Sequence, residues 1–243
     1  MPAVSPAVLA DLAPTGRIRA SINLGNIVLA QKDPASGALK GSSVDMAREL
    51  GRRLGVPVEL VEFPAAGKVF EAFPSGNLDV VFLAIEQVRA KEIAFTAPYV
   101  LIEGVYLVPR ASALKSPAEI DRPGVRIGVN LGSAYDLFLT RTLKHATLVR
   151  GPNGIEAMVK DKLDAAAGVK QALVAYAKTD PEVRLIDERF MEIRQAMGTP
   201  IARQAGAAYL AAFVEDLKAN GFVAEALKRH NQPDAAVAPP AGR

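Results

Sequence analysis

The chain contains no cysteine and no tryptophan in 243 residues. Without cysteine there is no disulfide, no thiolate metal site, no cysteine nucleophile and no lipid-bearing thiol. Histidine is scarce too, with His145 and His230 alone, both expected at exposed helix ends. Ser133 with His145 is no catalytic pair. On one helix, that spacing sets them about 18 Å apart. No apolar run approaches the roughly 18–20 residues needed to cross a bilayer. Residues 1–16 also lack the basic start and continuous apolar core of a secretory leader. Either a leader was cut away or none was carried.

What is present is ordinary for a globular chain: half the residues are hydrophobic and 23% are charged, with a formal net charge of +3. That is enough to bury one large core or two modest ones. The cations are dispersed among acids and no basic stripe carries interleaved aromatics, so nucleic acid is excluded as a partner. A mild positive field favours small anions. G-x-S-x-G, P-loop, dinucleotide and H-E-x-x-H signatures are all missing. Asp161 and Asp164 read as turn acids, and no metal or cofactor is expected.

Apolar and polar residues alternate over residues 17–24, predicting a first strand. Helical spacing of Val44, Ala47, Leu50 and Leu54 predicts a helix that stops at Gly55. Residues 56–63 form a second strand, 67–73 a short helix and 78–82 a third strand. The β-α-β-α-β order with short connections predicts a mostly parallel sheet flanked by helices. After an extended stretch over 100–109 the pattern restarts, with strands at 125–130, 147–149, 163–167 and 183–186. Helices lie between them, and two more, around Tyr209–Leu217 and Phe222–His230, close the chain. Those last helices have no sheet of their own. If they pack on the first lobe, the chain crosses between lobes twice, and a double crossing makes a hinge and a cleft. The tail from Pro233, rich in proline and alanine, reads as disordered.

Two stretches point to ligand chemistry. Arg89 lies just beyond a core strand, at the edge where α/β sheets bind ligands. Its plain alternative is a solvated surface arginine. Asn130-Leu131-Gly132-Ser133-Ala134 runs from strand into helix, where free amides can hold a carboxylate. Its alternative is a simple serine N-cap. Glu86 near Arg89 reads first as an acid favoured by a helix N-terminus.

Several segments, in order, resemble the family 3 extracellular solute-binding proteins, the polar amino acid receptors of ABC importers. They are Gly16-Arg17-Ile18-Arg19, Gly41-Ser42-Ser43-Val44-Asp45-Met46-Ala47 and Ser75-Gly76-Asn77-Leu78-Asp79-Val80. Arg89 with Ile93-Ala94-Phe95-Thr96-Ala97-Pro98-Tyr99 follows, and then residues 124–133. The resemblance covers roughly residues 15–232. It implies the type II periplasmic-binding-protein clam-shell: lobe 1 over 1–103 and 197–232, lobe 2 over 104–196, and a tail over 233–243.

The resemblance also implies site residues. Arg89 pairs bidentately with a ligand carboxylate, and Gly132, Ser133 and Ala134 serve the carboxylate from the second lobe. Phe82 and Ala84 stand where relatives carry hydroxyl residues. Asn26 stands where relatives stack an aromatic, and Val169 where an acid holds the ligand ammonium. An ammonium without that acid is costly to bury, which implies a carboxylate ligand lacking a conventional α-ammonium. The expected protein is a monomeric, non-enzymatic periplasmic receptor that docks transiently on a membrane permease. The alternatives are an enzyme similar to cyclohexadienyl dehydratases, with Glu86 or Glu103 as acid, and a cytoplasmic sensor.

Overall fold

The computed structural model describes residues 3–242. They divide into two compact units, one of residues up to 101 and from 194 onward, the other of Ile102–Ile193. The sequence boundaries, 103/104 and 196/197, lie within three residues of these.

The first unit opens with a short helix that the apolar periodicity does not announce, α1 (Pro6–Leu12). Its signals were local: the Ser5 side chain accepts a hydrogen bond from the Val8 amide, and Pro6 occupies the first turn. Strand β1 (Ile18–Asn23) is followed by a short hairpin, β2 (Gln31–Lys32) and β3 (Leu39–Lys40). Helix α2 (Ser42–Leu54) buries Val44, Met46, Ala47, Leu50 and Leu54 along one face and ends on Gly55 in the left-handed conformation. Then come β4 (Val58–Phe63), α3 (Ala66–Ala72), β5 (Val81–Ala84) and β6 (Ile93–Phe95).

β1 and β4 pair in parallel, Ile18 opposite Val58 through Asn23 opposite Phe63, and Ala20 bridges Val80 in parallel just before β5. The expected parallel order therefore holds for β1, β4 and the lead into β5. The other described strand pairs of this unit are antiparallel. β7 (Val100–Pro109) carries the chain into the second unit and β11 (Val183–Pro200) brings it back. The end of β11 pairs antiparallel with both β5 and β6. Helices α7 (Gln204–Ala219) and α8 (Phe222–Arg229) follow in the first unit.

The tail corrects the sequence reading. Instead of a disordered end, β12 (Ala236–Val237) pairs with the start of β7, and Ala235 and Ala238 are buried. Lys218 Nζ donates to the Pro239 carbonyl at 2.9 Å, and the Ala241 amide donates to Glu215. Composition alone read as disorder because alanine and proline bury little area each, but one free strand edge sufficed to order them.

In the second unit β8 (Arg126–Asn130) is central, parallel to β9 (Thr147–Gly151) on one side and to β10 (Ala165–Val169) on the other. β10 pairs antiparallel with β7. Helices α4 (Ala134–Thr142), α5 (Gly154–Asp161) and α6 (Lys170–Ala177) each follow a strand end directly. Val105, Leu107, Met158, Leu163, Ala166, Leu173 and Val183 form this unit's core.

Candidate functional site

In the first unit the candidate residues gather at the carboxyl ends of β1 and β5. β5 is buried along its whole length: Val81 and Leu83 pack with Val69, Phe73, Leu78 and Ile93. Phe82 meets the Tyr99 ring edge-on, with centroids 6.2 Å apart. This accounts for the apolar Val81–Ala84 run as a strand buried on both faces. Phe82 and Ala84 are core side chains here, and their character says nothing about a ligand. The Ala84 carbonyl is the useful group, since it accepts from Arg89 Nη1 at 3.0 Å.

Arg89 opens a single 3-10 turn, Arg89–Lys91, and only 1% of it is exposed. The reading as a solvated surface arginine is thereby overturned. Burial pushes its guanidinium down to about 10, against the upward pull of the Glu86 charge. The group stays cationic at neutral pH, with the buried Glu86 carboxylate as an electrostatic neighbour. Glu86 caps no α-helix; it lies in the turn after β5, where its carbonyl accepts from the Ala90 amide. Asn26 is buried in the loop after β1 and accepts from the Val28 amide with its side chain, an Asx turn.

In the second unit the start of α4 is a capped turn. Ser133 Oγ accepts from the Asp136 amide at 3.1 Å, and Asp136 Oδ2 accepts from the Gly132 amide at 2.8 Å. Gly132 takes φ 71°, which glycine adopts without strain. Arg150 Nε holds the same carboxylate at 2.9 Å. Ser133 is thus engaged as an N-cap. The amides of Ala134 and Tyr135 fall in the first turn, where a helix supplies no acceptor of its own. Burial pushes the Tyr135 hydroxyl up to about 12, against hydrogen bonds with Ser133 and Asn130.

Val169 ends β10 and caps α6 without a side-chain bond, so the position is apolar, as the sequence indicates. Beside it stands a charged pair of which only Glu103 was singled out. Lys170 Nζ lies 2.5 Å from Glu103 Oε2. The signal for Lys170 was a cation at a strand-to-helix junction.

The histidines differ from each other. His145 is exposed, whereas His230 is half-buried with Nε2 2.9 Å from Asp45 Oδ2, which Arg229 also contacts. Among the described residues no group of three or more acidic, histidine or cysteine side chains is arranged to hold a metal. No helix there is long and apolar enough to cross a membrane.

The strand order and the two chain crossings define an α/β protein of the type II periplasmic-binding-protein class. Solved structures share this fold: a mutant of ArgBP from T. maritima superimposes with a TM-score of 0.78 at 18% identity, over 92% of this chain and 99% of that one. AbpA from Streptococcus pneumoniae, bound to L-arginine, gives 0.77 at 17% identity over 91% of this chain and 97% of that one. The ancestral amino acid-binding protein AncCDT-1, a precursor of cyclohexadienyl dehydratase, gives 0.76 at 21% identity over 91% and 97%.

Residues 30–233 match the model of the bacterial extracellular solute-binding proteins, family 3, and the chain belongs to that family. A curated relative, the glutamine-binding protein of Geobacillus stearothermophilus, is 23% identical over 176 residues, 69% of this chain and 66% of that protein.

Proposed function

We propose that the protein is the solute-binding component of an ABC importer and that its ligand is a small carboxylate held by Arg89. Membership in the solute-binding family supports the importer role. The single observation behind the carboxylate is Arg89 itself: a buried arginine in the turn after a core strand, braced by the Ala84 carbonyl. A planar fork in a desolvated setting is suited to bidentate pairing with a carboxylate, and a lysine there would not reproduce it. The ligand is taken up by hinge closure and handed to a membrane permease outside the cytoplasm.

Named relatives bind glutamine and arginine. In this chain Val169 stands where the resemblance calls for an acid, so the ligand lacks the α-ammonium of a standard amino acid. Small-angle scattering on the purified protein, with and without saturating carboxylate, tests closure. The radius of gyration falls on ligand addition in this reading, and an unchanged radius at saturation contradicts it. Tight binding of a standard α-amino acid by calorimetry contradicts the ligand class.

A further inference from the structure

Strand β5 ends in a turn, residues 85–92, whose side chains are sorted against the usual rule. Gln87, Val88, Ala90, Lys91 and Glu92 are exposed, whereas Glu86 and Arg89 are buried, at 6% and 1% exposure. Acidic and basic side chains are seldom buried this far unless they are paired. The backbone sets the two charges together. The Ala90 amide donates to the Glu86 carbonyl at 2.9 Å, and the Glu92 amide donates to the Arg89 carbonyl at 3.1 Å. The Glu86 charge favours the Arg89 cation, and burial opposes it. Asp79, the other buried acid among the described residues of this unit, is already held by Arg19 and Arg203.

The Arg89 fork braces itself on the Ala84 carbonyl through Nη1. A ligand carboxylate that engages the fork bidentately brings a second anion to a guanidinium whose counter-charge is Glu86. Two carboxylates on one buried cation leave a negative charge uncompensated, which is costly away from water. Exchange avoids that cost: the ligand takes the fork and Glu86 leaves it. The way out is short, because Gln87 and Val88 beside Glu86 are already exposed and the Arg89–Lys91 segment is a single 3-10 turn. Every group in this exchange belongs to the first unit.

We propose that Glu86 is a built-in occupant of the Arg89 clamp, an autoinhibitory carboxylate that the ligand carboxylate displaces. The inference rests on the carboxylate reading above and adds a threshold to it, since a neutral solute leaves the pair closed. Titration calorimetry of the full chain with butyrate and its neutral isostere butyramide tests it. Glu86→Gln keeps the side-chain shape and removes the charge. It binds butyrate about tenfold tighter than the unaltered protein, or more, the scale of one charge-assisted hydrogen bond. Butyramide shows no such gain. Adding Arg89→Lys to Glu86→Gln abolishes the gain, because the planar fork is lost. Glu86→Asp, whose carboxylate reaches less far, gives an intermediate gain and carries the test if the glutamine variant fails to fold.

Butyrate binding that is unchanged or weaker in the Glu86 variants overturns the proposal and makes Glu86 a brace for Arg89. If in that case the unaltered protein binds butyrate and Arg89→Lys loses it, the carboxylate reading stands without this extension. A gain that survives Arg89→Lys means the anion binds elsewhere, and both readings fall. Both also fall if butyrate binds neither the unaltered protein nor any Glu86 variant.

Discussion

Asp79 is fully buried yet charged. Arg19 holds it with two side-chain bonds of 2.8 Å and its own amide, and Arg203 adds a third side-chain bond of 2.8 Å. Burial pushes the carboxyl up, but the bonds from Arg19 and Arg203 outweigh it and hold it below the usual range. Asp79→Asn leaves two arginines facing a neutral group, and a loss of about 3–5 kcal/mol in urea unfolding is expected. Gly41 is a second residue of this kind. It adopts φ 132°, and a Cβ there would lie 2.2 Å from the Leu29 carbonyl, which Ser43 uses as acceptor for both its amide and its hydroxyl. Gly41→Ala is therefore expected to lower stability by more than the roughly 1 kcal/mol that the same change can add at an unstrained site, read from the denaturation midpoint.

These two residues explain what the resembling segments encode. Arg19, Gly41 and Asp79 stand in three different segments, and each holds the first unit together without pointing to a ligand. Asp45, in the same segment as Gly41, holds Arg229 and His230. Fold was therefore legible from local patterns. Arg89 was legible as a site candidate, but its burial was not, because exposure depends on β5, β6 and β11 converging from distant parts of the chain. Lys170 went unremarked because its partner, Glu103, lies 67 positions away.

Among elements, a charged clasp centred on Arg53 links α2 to α7. Arg53 donates to Glu49 on its own helix and to Asp216 on α7, each at 2.7 Å, with its guanidinium 5.1 Å from the centre of the Phe213 ring. Hydrogen bonds from Arg52 first, then from Arg53, hold the Glu49 carboxyl down at about 2 against the opposing effect of burial. A carboxyl depressed in the folded state contributes its stability in full above its unfolded pKa, near 4.5, and loses it as pH falls through about 2. Urea midpoints measured from pH 7 to pH 2 thus separate the original protein from Glu49→Gln at neutral pH. The gap closes between about pH 4.5 and 2, and a gap that stays constant across that window contradicts the clasp.

Helix and strand positions were readable because periodicity is local, and the Gly55 stop is an example. The antiparallel strands at the crossings were harder. Residues 183–200 form one long strand, and only 183–186 were read as extended. The charged stretch Asp187-Glu188-Arg189 breaks the apolar pattern, while the backbone pairing continues through it.

For the whole molecule, both chain crossings run along strands β7 and β11, and each unit has its own hydrophobic core. The central claim is that Arg89 supplies the anion clamp. Mass spectrometry of small molecules retained by the purified protein, compared with Arg89→Lys, tests it most directly. The account predicts that the unaltered protein retains a small carboxylate and that Arg89→Lys, which keeps the charge but loses the fork, retains at least tenfold less. Equal retention by both proteins, or a retained ligand without a carboxylate, would contradict it.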